Sequence, residues 1–358
     1  MFKKIKQHPE FNIVFLLYEI STMIPLYRKS ESKAECLLCP HYCKIAPGKS
    51  GICGVRKNTG GEIKLQTYGI LSGYSLDPVE KKPLYHFFPG YNILSVGSYG
   101  CNMRCDFCQN YHISQNVPER LAMEVSPEKL VSDAKSSERN VGLAFTYNEP
   151  IIWFEFIRDT AIAAKEAGLY TVMVSNGFVN PSPLEEIISF IDGFNIDLKA
   201  FNGKFYRNLT GADIEPVKEA LKQIYKSGKH LEITTLIIPD QNDDEKEMAM
   251  ESEWIARELG KSVPLHISRY FPVFKRKDPA TSHETIENLA QIASKNLDNV
   301  YIGNTFSVTG QNTLCPKCGL TVTIRSGYKI KIQNIDDQGR CTACGNIIYR
   351  YFSPTSSS

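Results

Sequence analysis

Between Asn92 and Tyr270 six short apolar runs alternate with longer stretches of helical character, and this alternation limits the chain to folds built from repeated βα units. The runs are Asn92–Ser98, Val141–Tyr147, Tyr170–Asn176, Phe194–Lys199, Leu231–Ile238 and Pro264–Tyr270, and a further one begins at Val300. Helical patterns such as Ile151–Ala167 lie between them. Continuous apolar runs suit strands covered on both faces, as in a parallel barrel or an open doubly wound sheet. Periodicity does not choose between the two.

The polar residues help with that choice. Asn148 and Glu149 follow the second run, Ser175 and Asn176 close the third, Asp197 and Lys199 close the fourth, and His266 and Arg269 lie on the sixth. Side chains gathered from the C-terminal ends of several strands are how a barrel assembles a site. The expected fold is therefore α/β, a partial (β/α)6 TIM-like barrel with an N-terminal Cys-rich module and a C-terminal zinc-ribbon module. The expected divisions are an N-terminal helix over 1–30, the Cys-rich module over 31–91, the barrel over 92–305, the ribbon over 311–352 and a mobile tail over 353–358. The apolar stretch Phe11–Tyr18 is short and ends at Glu19, so it reads as an amphipathic docking helix rather than a secretory signal. No run approaches the length of a membrane span.

The eleven cysteines fall into three groups: Cys36, Cys39, Cys43 and Cys53; Cys101, Cys105 and Cys108; Cys315, Cys318, Cys341 and Cys344. Such short spacings in a chain of 358 residues read as metal ligation in a reducing compartment, which places the protein in the cytoplasm. The net charge of +2 gives no whole-chain argument for nucleic acid or an anionic membrane. Thiolates select zinc, copper(I) and iron–sulfur clusters. Three cysteines in the loop after the first strand leave a coordination position open, as a catalytic centre does, unless His41 or His112 completes a closed Cys3His zinc site. The last four cysteines have zinc-ribbon spacing, with Arg325, Lys329 and Lys331 beside Tyr328 as either a solvated basic face or a surface for RNA or protein. The first four suit either zinc or an auxiliary iron–sulfur cluster. The segment 77–90, DPVEKKPLYHFFPG, is either a loop closing over the site with Lys81, Lys82 and His86 facing it, or a turn packing its aromatics on the barrel.

The pattern Cys101, Cys105, Phe107, Cys108 resembles the signature loop of the radical S-adenosylmethionine (SAM) superfamily. The resemblance implies that the three thiolates hold a [4Fe–4S] cluster whose fourth iron is chelated by SAM, and that Phe107 packs near the adenine. Thr146–Pro150 sits where the superfamily has its Gly-Gly-Glu segment, with Tyr147 and Asn148 in place of the glycines, which implies that Glu149 takes the methionine ammonium. Ser175–Phe178 and Asp197–Phe201 resemble segments of the pyruvate formate-lyase activating branch, implying contacts to SAM from Ser175, Asp197 and Lys199, with Asn148 and Asn176 expected beside them as cofactor-binding residues and His266 matching a late-strand cofactor histidine. Residues 36–58 and 77–90 resemble the radical enzyme of the AmmeMemoRadiSam system, implying Memo-type and AMMECR-type partners and a reducing donor of flavodoxin or ferredoxin type. The ribbon is additional to that pattern.

Two functions follow as expectations. One is an enzyme that cleaves SAM reductively and abstracts hydrogen from a protein glycine, nucleic acid, lipid or small molecule. The other is a non-catalytic protein or RNA-binding module held together by structural zinc. The strand-end residues favour the first, because structural zinc sites give no reason for Glu149, Ser175, Asp197 and Lys199 to recur beside the signature loop.

Overall fold

The computed structural model describes residues 25–29, 33–118, 123–305 and 310–353. The helix expected over 1–30 lies mostly outside them. Its described end is not helical: Tyr27–Lys29 is a strand paired antiparallel with Ala34–Cys36. The tail from residue 354 also lies outside the described residues.

Eight strands form the central sheet: β1 (Gly73–Pro78), β2 (Asn92–Gly97), β3 (Asn140–Phe145), β4 (Tyr170–Ser175), β5 (Gly193–Asp197), β6 (His230–Ile237), β7 (Leu265–Arg269) and β8 (Val300–Gly303). They lie side by side in chain order, parallel from β2 to β8, with β1 antiparallel to β2. This order decides what periodicity could not. A doubly wound sheet reverses its order at a switch point, whereas here every crossover steps the same way. Right-handed crossovers that never reverse put the helices on one face and let the sheet curl. The result is the expected partial barrel, open because β1 and β8 are its edges among the described residues.

The helices between the strands are α1 (Pro127–Ser136), α2 (Phe154–Glu166), α3 (Pro181–Ile188), α4 (Ile214–Lys226), α5 (Glu245–Glu258) and α6 (His283–Ala293). Their starts are encoded locally. Ser126, Asp244 and Ser282 each accept a hydrogen bond from the amide three residues on, at 3.3, 2.9 and 2.9 Å, satisfying a donor the helix leaves free. Their inner faces are set by spacing: α4 buries Ile214, Val217, Ala220, Leu221 and Ile224, one stripe at intervals of three and four.

Strand β1 falls within the segment read as loop-rich, and the sequence gives no sign of it. Tyr74, Ser75 and Leu76 are all exposed on this edge, so no alternation of apolar and polar residues marks it. The rest of the N-terminal module is small sheet pieces, including a hairpin of Arg56–Thr59 with Glu62–Leu65. Its two-residue turn needs positive φ at both positions, which Gly60 and Gly61 supply at 63° and 86°. Arg56 is buried and forks onto Glu155 at the start of α2, at 3.1 and 2.5 Å, clamping the module to the barrel.

The ribbon pairs Thr313–Leu314, Thr321–Ser326 and Lys329–Ile332 antiparallel. It docks at the N-terminal ends of the barrel strands. Phe88 donates its amide to the Tyr351 carbonyl at 2.8 Å, and the Tyr351 ring packs on Phe87, Phe88 and Tyr170, the residue that opens β4. Arg325 does not belong to a basic surface. It is wholly buried, donating to the carbonyls of Tyr85 (2.9 Å) and Gln311 (3.0 Å) with its guanidinium over the Tyr85 ring, while Tyr328 is exposed. Segment 77–90 is accordingly the aromatic turn of the two alternatives. Phe87 and Phe88 are buried, His86 bonds Ile348 and Tyr301, and Lys82 is buried against Asp77 at 2.8 Å. Among the described residues no helix is long and apolar enough to cross a membrane.

Candidate active site and metal centres

The loop after β2 carries Cys101, Cys105 and Cys108 at the C-terminal end of the sheet. Gly100 must be glycine: its φ is +85°, and a Cβ there would lie 2.4 Å from the Cys53 carbonyl oxygen. The loop is tied down on both sides. Arg104 and Asp106 donate their amides to Thr210 and Leu209 at 2.7 and 3.2 Å, and Asn148 braces its start, accepting from Ser98 N at 2.9 Å and donating to Gly100 O at 3.1 Å. Asn148 was expected at the cofactor; its amide is spent on shaping the loop.

Three donors approach the sulfurs. Met103 N lies 3.3 Å and Asn176 Nδ2 3.8 Å from Cys101 Sγ, and Ser114 Oγ lies 3.1 Å from Cys108 Sγ. Hydrogen bonds to ligating sulfur, together with burial, set a cluster's potential. Burial pushes the Cys105 thiol up to about 12 and Cys101 well above its ordinary value, so both favour the thiol until a metal takes the sulfur. Ser114 escaped the sequence reading because it lies on a short helix, Tyr111–Ser114, that has no periodicity to mark it.

Glu149 ends the turn after β3 and is only 2 % exposed. Its Oε1 accepts from Ile151 N at 2.9 Å and Ser175 Oγ at 2.7 Å, and its Oε2 from Asn176 N at 2.8 Å. Ser175 and Asn176, both expected to touch the cofactor, thus hold the carboxylate, and Asn176 also reaches Asn102 Oδ1 at 2.9 Å. Burial raises the Glu149 carboxyl to about 7, against the pull of those three hydrogen bonds. Among the described residues Oε2 has a single partner, which leaves it an acceptor for an ammonium.

Asp197 ends β5, and Lys199 lies two residues on, so the two share a face. They pair at 2.9 Å, and burial of the ammonium is outweighed by Asp197 and the nearby Cys105, leaving Lys199 raised. Phe107 is buried and packs on Phe205 with ring centroids 5.7 Å apart.

His266 does not join them. It is the second residue of β7, 2 % exposed, with Nε2 2.6 Å from Glu232 Oε2 and Tyr85 edge-on to its ring at 4.7 Å. Glu232 also takes His230 Nε2 at 2.9 Å and the amides of Tyr85 and His86 at 3.0 and 2.7 Å. Burial alone would raise this carboxyl, but the histidines hold it well below its ordinary range. The pairing of positions 232 and 266 depends on strand register, which composition does not reveal. The other candidate histidines are also engaged elsewhere: His41 Nε2 bonds Asn102 O at 2.7 Å, and His112 is exposed against Tyr111.

The ribbon cysteines form a tight set, with Cys315 and Cys344 sulfurs 3.5 Å apart and Cys318 and Cys341 3.7 Å apart. The amides of Cys318 and Lys317 draw the Cys315 thiol down, while the neighbouring thiols push Cys318 up, so the four sulfurs act on one another as a set. The four N-terminal cysteines line one cavity that also includes Asn102. The three-cysteine loop fits a cluster with an open corner: Cys105 is buried and Cys101 and Cys108 are half-buried, polar groups lie against sulfur, and a buried carboxylate with a free acceptor position stands beside them.

Residues 95–252 match the Radical SAM superfamily. An uncharacterized protein of Methanocaldococcus jannaschii is 38% identical over 322 residues, covering 89% of this chain and 96% of its own. Pyruvate formate-lyase 1-activating enzyme of Escherichia coli (strain K12) is 27% identical over 193 residues, 52% of this chain and 76% of that enzyme. Pyruvate formate-lyase-activating enzyme of Clostridium pasteurianum is 26% identical over 149 residues, 41% of this chain and 62% of that enzyme.

Proposed function

The chain belongs to the radical SAM superfamily, and on that premise we propose that it cleaves SAM reductively and uses the product to abstract hydrogen from a substrate bound at the open end of the barrel. When bound, a [4Fe–4S] cluster and SAM supply the one-electron cleavage of a sulfonium C–S bond to methionine and a 5′-deoxyadenosyl radical. The chain's own residues position and shield. Cys101, Cys105 and Cys108 hold the cluster, with Ser114 and Asn176 tuning it through hydrogen bonds to sulfur. Glu149 receives the methionine ammonium on Oε2, and Ser175 and the Asn176 amide keep that carboxylate aimed. Lys199, paired with Asp197, offers a cation for the methionine carboxylate, while Phe107 gives an apolar wall.

The observation that carries this reading is the convergence of Glu149, its Ser175–Asn176 support and the Asp197–Lys199 pair on the three-cysteine loop. A set of structural metal sites would not need that convergence. Protein glycine is the first substrate class to test, because two of the relatives are activating enzymes of pyruvate formate-lyase. The donor would be of flavodoxin or ferredoxin type, and Memo-type and AMMECR-type proteins are the partners to test first.

The decisive experiment is anaerobic reconstitution with iron and sulfide, then dithionite and SAM, followed by an assay for 5′-deoxyadenosine. Product from the wild type that vanishes in Cys101→Ser and Cys108→Ser supports the proposal. Zinc alone in the reconstituted protein, with no 5′-deoxyadenosine, would overturn it in favour of the metal-stabilised binding protein.

A further inference from the structure

Three cysteine groups in one chain give an internal measure of what each is built to hold. Four thiolates around a single zinc ion, each about 2.3 Å from it, lie about 3.8 Å apart. The ribbon meets that requirement, all four sulfurs lying within 4.8 Å of one another. Among the described residues no other three Cys, His, Asp or Glu ligand atoms do so. The sulfurs of Cys36, Cys39, Cys43 and Cys53 are therefore spread more widely than one ion requires, and so are those of Cys101, Cys105 and Cys108.

Wide spacing alone would describe unrelated thiols. These four instead line a common cavity, whose walls include Ile45 and Ile152. Cys36, Cys39 and Cys53 are buried there, and Cys43 is half-buried. Separated thiols facing one space suit a cofactor whose own atoms fill the middle, so that each sulfur binds a different metal atom. We propose that Cys36, Cys39, Cys43 and Cys53 hold a second [4Fe–4S] cluster, distinct from the one at the signature loop.

The surroundings make the two sites neighbours. The Cys53 carbonyl lies directly against Gly100, one residue before Cys101. Asn102 lines the cavity, His41 bonds its carbonyl at 2.7 Å, and its Oδ1 accepts from Asn176, the residue that also reaches Cys101 Sγ. Asn102 thus lines one site and is bonded to the residue that reaches the other.

The inference does not depend on SAM cleavage, and metal analysis separates the two. The full-length protein is reconstituted anaerobically with iron, sulfide and zinc, and iron, acid-labile sulfide and zinc are counted per chain. The expected wild-type content is about eight iron atoms and one zinc. About four iron atoms with two zinc would overturn the proposal, and that count needs no variant. In Cys101→Ala/Cys105→Ala/Cys108→Ala about half the iron and the brown absorbance should remain. Complete loss of iron from that folded variant would also overturn it. Cys39→Ala/Cys43→Ala should lose about half the iron while keeping the zinc, whereas loss of zinc without loss of iron would contradict the assignment.

Discussion

The two ends of the same barrel each bury a glutamate, and the two are held in opposite ways. Glu149, at the C-terminal end, is 2 % exposed and accepts three hydrogen bonds from neutral groups; Glu232, at the N-terminal end, is fully buried and accepts four, two of them from histidines. Burial wins at Glu149 and lifts its carboxyl to about 7, while the partners win at Glu232 and hold it low. Burial therefore does not identify a functional carboxylate. The distinction lies in whether its neighbours saturate it, and only Glu149 keeps an acceptor position beside the sulfurs.

The largest expected effect breaks the saturated end. Glu232→Ala removes the partner of His230, His266 and two buried amides and should destabilise the fold by about 3–5 kcal/mol, measured by urea unfolding. A change below about 1 kcal/mol would show that the network is dispensable.

Next is the pH dependence of the metal-free protein. A carboxyl whose folded pKa is raised binds its proton more tightly when folded, so stability falls as pH rises from the ordinary carboxylate value towards 7. For Glu149 that loss should approach about 3 kcal/mol between pH 4.5 and 7. Glu149→Gln should remove that share of the slope and leave the share of Glu251, which burial raises to about 8; an unchanged pH profile in the variant would assign the slope elsewhere.

The same substitution should weaken SAM binding to the reconstituted enzyme by about 10–100-fold, the worth of a charged hydrogen bond, read by equilibrium dialysis. In the wild type, binding should tighten as pH rises to about 7 and the carboxylate forms. Equal affinity in wild type and variant would remove Glu149 from the ammonium site.

The smallest effect sharpens the contrast from the other side. Stripping the ribbon's metal with a chelator that spares the clusters should change 5′-deoxyadenosine formation by less than about twofold, since distant sites contribute independently.

Much of this organisation was legible in the sequence. Each parallel strand lies within one or two residues of an apolar run, because a strand covered on both faces writes its burial directly into composition. The signature loop and ribbon were legible because metal ligation fixes spacing along the chain. What escaped depends on contacts between distant residues. Strand β1 shows no alternation, His266 was misplaced because its partner is 34 residues away, and Arg325 reads as a surface cation until Tyr85, 240 residues away, accepts from it. Asn148 and Ser175 were found at the right end of the barrel, but their immediate task is to shape the loop and hold Glu149.

The ribbon's position also sets a ruler. It sits on the strand beginnings, and six residues of strand span about 20 Å, so anything gripped by Lys329, Lys331 and Tyr328 is held about a strand's length from the cysteine loop. A rigid partner anchored there could not deliver its reacting atom. One with a flexible arm could, and the ribbon would then act as a mooring that raises local concentration while leaving the choice of atom to the mouth of the barrel.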